Sequence, residues 1–324
     1  MLLTLRRTPA RCKGIALVVV LWMLALLSVI AGSLAFSTRT DLLIVGNAAS
    51  MAQAEAIADG GIFRAISELL APVQGDPNHW KGDGQHHIWQ FSGANVIIRI
   101  TDESARIDLN SATEDLLRGM FISLGVAETE ASALVDTIQD WRDADDLRRP
   151  RGAEKDDYAV AGRTDGPANT DFETVEELRQ VLGMTEMLYR AVEPLVTVHS
   201  RQPWINSAIA SRSVLLALPG ATPELVDIFI EQRQAAWAQG QPSPPFAVGQ
   251  VITATSTSTT FSIQTEAVLG DNTRFLREAV VRLTGDPRSP FIILAWRAPA
   301  VASGAIAPPD TVQPTQQYDK DRPR

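Results

Sequence analysis

The stretch QDWRDADDLRRPRGAEKDDY, Gln139 to Tyr158, carries Asp140, Asp143, Asp145, Asp146, Glu154, Asp156 and Asp157 within eighteen positions. Carboxylates at that density are hard oxygen donors, and a loop mixing them with carbonyls can supply the roughly six to eight ligands that calcium takes. Asp143, Asp145 and Glu154 stand at positions one, three and twelve of an EF-hand frame. The frame then fails, because Arg148 occupies the place of the turn glycine and Leu147 that of a ligand. Spacing leaves two readings open: a cation-binding loop, or a solvated acidic loop partly neutralised by Arg142, Arg148, Arg149 and Arg151.

Other chemistry is scarce. No G-x-S-x-G, H-E-x-x-H or Gly-Lys-Ser/Thr phosphate loop occurs. The histidines are His79, His86, His87 and His199, and the adjacent pair would point to opposite faces of a strand, which suits neither joint ligation nor catalysis. The single cysteine, Cys12, precedes a long apolar run, so nothing after that run has a disulfide or thiol chemistry. An enzyme is not expected. The formal net charge is −9, and residues 103–240 hold 24 Asp and Glu against 13 Lys and Arg, a balance of −11. Such a surface repels phosphates, so no nucleic-acid partner is expected.

The acidic loop lies inside a helical stretch that contains a repeat. IDLNSATEDLL from Ile107 aligns with INSAIASRSVLLALPG from Ile205 at an offset of 98 residues. Each copy opens a helix and is followed by another, GVAETEASALVDTIQDWR or GATPELVDIFIEQR. Strand-like segments flank this stretch: HHIWQFSGANVIIRITDE before it, then TFSIQTEAVLG, a turn at Gly270-Asp271-Asn272, Phe275 to Leu283, and FIILAWR. The economical architecture is α+β, a helix on an antiparallel sheet interrupted by an all-α insertion.

The helix is at the amino terminus. Ile15 to Phe36 is an uncharged run of 22 residues, about 33 Å of helix and enough to span a bilayer core. Arg6, Arg7, Arg11 and Lys13 precede it, which keeps the amino terminus in the cytoplasm and sends the rest outward, into the periplasm of a bacterium. Apolar residues continue at helical spacing through Leu42, Val45, Ala49, Ala56, Phe63, Ile66 and Leu70, with Pro72 as a stop. One helix of about 84 Å is expected, or two helices if Gly32, Gly46, Gly60 and Gly61, each costing about 1 kcal/mol, break it. The apolar run itself reads in three ways: a signal peptide cut after it, a plain anchor, or a segment trimmed at Gly14 and retained.

The junction Lys13-Gly14-Ile15 ahead of an apolar helix resembles the prepilin pattern of type IV pilins and type II secretion pseudopilins. Counted from Ile15, the fifth position holds Val19 where most pilins carry glutamate, and the K-class minor pseudopilins are the class that lacks it. DWRDAD, GAE, a tyrosine, PAN and the following helix also resemble the K-class pattern, with Lys155 where that class usually has aspartate. Paired short helices of the helix-hairpin-helix or SAM-like kind occur in that class too, as they do in DNA-binding proteins.

The resemblance implies a leader at 1–14, a transmembrane helix at 15–36, a pilin-like domain split into 37–102 and 241–298, a helical insertion at 103–240 and a tail at 299–324. It implies cutting by a prepilin peptidase between Gly14 and Ile15, methylation of Ile15, and an anchor in the inner membrane. Structural calcium would fall to Asp143, Asp145, Glu154, Asp156 and Asp157. I-class and J-class minor pseudopilins would be the partners, with secreted substrate or the outer-membrane channel beyond them. The rival is a single-pass periplasmic scaffold or DNA-binding protein with helix-hairpin-helix modules.

Overall fold

The computed structural model describes residues 15–72, 79–246, 248, 253–254 and 259–298. The expected leader with Gly14, the side chain of Ile15 and the expected tail at 299–324 lie outside the described residues.

Helix α1, Ile15–Leu70, is a single element of 56 residues. Its apolar side chains from Leu17 to Val45 are exposed, and it is long and apolar enough to cross a membrane. Above that segment the buried residues are Ala54, Ile57, Ala58, Ile62, Ala65 and Ile66, one stripe at helical spacing. The glycines do not break the helix. A Cβ on Gly32 or Gly46 would meet nothing within 4 Å, so these two cost only propensity. Gly61 has a packing role, since a Cβ there would lie 3.0 Å from Thr265 Cγ2 and 3.1 Å from Val96 Cγ1. Its bare backbone lets α1 settle on the sheet, where Thr265 Oγ1 donates to Ala58 O at 2.8 Å.

The sheet is an antiparallel meander of β1 (Asp83–Phe91), β2 (Ala94–Asp102), β3 (Thr260–Val268), β4 (Arg274–Asp286) and β5 (Ser289–Arg297) in that spatial order. Ser92 and Gly93, both at positive φ, turn β1 into β2. β2 pairs with β3 from Asn95↔Val268 to Asp102↔Phe261, so everything between them leaves and re-enters at one end of the sheet. Arg277 of β4 is buried and ties α1 down through Glu55 (2.6 Å) and Asp59 (2.5 Å).

The inserted body has its own core, from Ile107 to Phe246, separate from the one between α1 and the sheet. It extends past the expected boundary at Gly240, because Phe246 packs at a tilt against Phe229 and Ile205 bridges Thr253. Its helices are α2 (Glu114–Ser123), α3 (Glu128–Arg142), α4 (Lys155–Val160), α5 (Glu186–Val192), α6 (Arg212–Leu216) and α7 (Pro223–Ala238). Hydroxyls of Thr113, Thr185, Ser211 and Thr222 accept from backbone N–H groups in the first turns of α2, α5, α6 and α7.

The two sequence copies build the same local structure. Asp108 Oδ1 accepts from Asn110 N at 3.0 Å, and Asn206 Oδ1 from Ala208 N at 3.1 Å. Arg142, ending α3, donates to the carbonyls of Leu109 and Ala112. Arg233 of α7 donates to Ser207 O at 3.0 Å and Ala210 O at 2.8 Å, the positions 98 residues on. Each helix pair is therefore keyed to its opening turn by one arginine. Arg233 is 8% exposed, and Arg233→Ala would strand two buried carbonyls. A loss of about 3 kcal/mol is expected, measured by denaturant unfolding of the full chain in detergent; a change within about 0.5 kcal/mol would show the key to be idle.

A buried carboxylate joins the two bodies. Glu103, 1% exposed, accepts from Ser262 of β3 and from Thr197, and pairs with Arg106 at 3.3 Å. Arg282 of β4 donates to His199 O at 3.2 Å, and Arg297 meets Glu176 at 2.8 Å. The insertion thus sits on the sheet through several polar contacts, not on a lone tether.

Candidate functional site

The acidic loop runs from the end of α3 to α4. Asp140 is fully buried, and both its carboxylate oxygens accept from Arg149 N, at 3.3 and 3.2 Å. Gly152 faces it so closely that a Cβ there would overlap Asp140 Oδ2, which explains a glycine directly before Ala153 and Glu154. Glu154 is 7% exposed, and neither of its carboxylate oxygens has a hydrogen-bond partner; Asp143 Oδ1 and Asn169 Oδ1 are buried and unpartnered as well. Asn169, at φ 53°, is held by its N–H to Trp141 O (2.9 Å) and its amide to Asp146 Oδ1 (2.9 Å).

The electrostatics follow from this crowding. Burial, then Asp140, Asp143, Asp146 and Asp145, push the Glu154 carboxyl up to about 7. Asp143 is raised by burial and then by Asp145, against the pull of Arg149 and Arg142. Asp140 is raised by burial, which outweighs the hydrogen bond from Arg149. Negative charge here lacks sufficient compensation from the protein itself.

Of the five residues expected to hold calcium, Asp143, Asp145 and Glu154 belong to this crowded group. Asp145 is exposed and accepts from Leu147 N at 2.8 Å. Asp157 instead caps α4, accepting from Glu154 N at 3.0 Å, and pairs with Arg148 at 3.1 Å; Asp156 is exposed on α4. Among the described residues, no three His, Cys, Asp or Glu side chains stand close enough to grip a metal as placed. The donor set nevertheless fits a hard cation: two unpartnered oxygens on Glu154, one on Asp143 and a neutral amide oxygen on Asn169. Sequence reasoning passed over Asp140 as one more loop acid and read Asn169 only as part of the PAN motif, not as a ligand. Its signal was Pro167-Ala168-Asn169, a turn sequence eleven residues past Tyr158.

The arginines of the loop divide their work. Arg148 neutralises Asp157, Arg149 meets Glu114 at 2.7 Å and Asp140 at 3.7 Å, and Arg142 turns away to its carbonyls. His86 and His87 are consecutive on β1; His86 Nε2 accepts from Arg99 Nε at 3.0 Å, whereas His87 stacks on Trp80 with ring centroids 4.4 Å apart.

A membrane-length helix running on into a sheet-packed half, with a helical body set between the second and third strands, makes an α+β chain in which, among the described residues, one helix is long and apolar enough to span a membrane. Residues 97–203 match the family model described as type II secretion system (T2SS), protein K, and the chain is similar to proteins of that name. It is 27% identical over 239 residues to type II secretion system protein K of Pseudomonas aeruginosa, covering 66% of this chain and 72% of that one. It is 34% identical to the Dickeya chrysanthemi protein over 115 residues, 36% of this chain and 30% of that one. The fold is similar to a chain in the solved GspK–GspI–GspJ complex of the enterotoxigenic Escherichia coli type 2 secretion system. That likeness has a TM-score of 0.53 and 16% identity, and covers 81% of this chain and 99% of the other.

Proposed function

We propose that the chain is a minor pseudopilin that assembles with I-class and J-class subunits and starts or caps the pseudopilus through which proteins are exported across the outer membrane. The observation that carries this reading is α1: one unbroken helix of 56 residues, exposed and apolar below and packed on a sheet above. A prepilin peptidase cuts between Gly14 and Ile15, leaving the helix as an inner-membrane stalk with its new amino terminus at Ile15, which is then methylated. Val19 suits a subunit that receives no neighbour's ammonium at that depth, since an unpaired carboxylate in a bilayer costs several kcal/mol. The insertion adds bulk at the sheet's end, which fits a terminal place better than a repeating one along a shaft. Secreted substrate or the outer-membrane channel would be met from that end. The test is co-production of the full chain with I-class and J-class subunits: recovery of all three in one detergent-stable complex is expected, and recovery of this chain alone contradicts the reading.

Calcium is part of the same proposal. Glu154, Asp143 and Asn169, with Asp145 and Asp146 beside them, would hold the ion, whose charge supplies what the loop arginines do not. Calorimetry on the full chain should show heat of binding that Glu154→Gln removes, and a fall in melting temperature in chelator. No heat at millimolar calcium would exclude the ion.

A further inference from the structure

The inserted body leaves the sheet after Asp102, at the end of β2, and rejoins it at Thr260, at the start of β3; Asp102 and Phe261 are paired in the register. Both connections therefore stand side by side at one end of the sheet, the layout of a hinge. On the sheet side the pivot is firm, since Asp102 N donates to Gly82 O at 2.9 Å and a Cβ on Gly82 would lie 2.8 Å from the Phe261 ring. Among the described residues the buried apolar side chains form two clusters that share no member, one within the inserted body and one between α1 and the sheet. Polar groups cross the seam instead. Arg297 and Glu176, 2.8 Å apart, are 41% and 43% exposed, so water and salt weaken that pair. Glu103 is buried and faces both bodies. Its Oε1 accepts from Ser262 Oγ of β3 and from Arg106 at 3.3 Å; its Oε2 accepts from Thr197 Oγ1, which in turn accepts from His199 N at 3.0 Å.

We propose that this seam is a hinge and that Glu103 is its latch. While the carboxylate bridges Ser262 and Thr197, the inserted body is held at one angle to the sheet; without the bridge it swings about the paired Asp102 and Phe261. Two bodies with separate cores and a polar interface move relative to each other unless something fixes them. A shared apolar core would make the joint permanent, because opening it would expose that core to water. Hydrogen bonds to a buried carboxylate act differently. They are short, directional and strong while the seam is dry, so they set an angle. Once the seam opens, water replaces them at little net cost. The hinge thus lets the inserted body change its pose while α1 and the sheet keep theirs.

Pulsed electron paramagnetic resonance on the full chain in detergent, with its single cysteine, Cys12, replaced by serine, tests the hinge. Nitroxides at Met187 in α5 and Gln90 in β1, both exposed, report across the seam. Met187 with Leu225 reports within the inserted body, and Gln90 with Arg288 within the sheet. The natural chain should give one narrow distance for each pair. Glu103→Ala, and separately Ser262→Ala, should widen the distribution of the seam pair by about twofold or more and leave the other two as they were. Glu103→Gln, whose amide still reaches both hydroxyls, should keep the seam distance narrow, as should Arg297→Ala, which removes only the exposed pair. A seam pair that stays narrow in both Glu103→Ala and Ser262→Ala overturns the latch. Widening of all three pairs overturns it too, because Glu103 would then hold the fold and not the joint, and a seam already wide in the natural chain has no latch.

Discussion

Alanine at Gly119 should cost the protein about 3 kcal/mol, whereas alanine at Gly46 should cost nothing. Both glycines lie inside helices, where alanine normally gains about 1 kcal/mol. At Gly46 a Cβ meets nothing within 4 Å, so that gain is realised. At Gly119 the Cβ would fall inside the carbonyl of Ala217, the residue 98 positions on, where α2 of the first helix pair meets the end of α6 of the second. The obstacle is backbone, which cannot swing aside, and overpacking of about 1–3 kcal/mol or more follows. The two copies touch at equivalent residues, so spreading them there disturbs both cores. Thermal unfolding of the full chain in detergent should show a fall of about 6–12 °C for Gly119→Ala. An unchanged midpoint would mean that the two helix pairs do not depend on this close approach.

Gly14→Leu should leave the leader attached and abolish assembly. The leader holds Arg6, Arg7, Arg11 and Lys13, and an uncut chain would keep those cations at the head of the helix that must dock among others. The effect is close to all-or-none: comparison of strains with and without the prepilin peptidase should show a size difference for the natural chain and none for the variant. A variant that is shortened normally and still joins the complex would contradict the assignment of Gly14.

The elements that were legible in the sequence owe it to periodicity. The spacing from Leu42 to Leu70 announced α1, and alternation around Ile97 and Ile263 announced the inner strands. Whether α1 was one helix or two could not be read from Gly60 and Gly61, because propensity counts their cost and only the packed sheet reveals that Gly61 permits contact with Thr265 and Val96. The offset of 98 exposed the repeat, but not the paired roles of Arg142 and Arg233, since Arg142 stands beside a run of acids and reads as their counter-charge. The acidic loop was visible as a whole. Its division was not: burial separates Asp140 and Glu154 from exposed Asp156, and the turn at Asn169 brings in a neutral oxygen from beyond the loop.

Amino-terminal sequencing of this chain, recovered in complex with its I-class and J-class partners, tests the central claim most directly. The account predicts a first residue of Ile15, carried by a subunit held in the complex. A chain that begins at Met1 in such a complex, or one whose apolar helix has been removed, would contradict it.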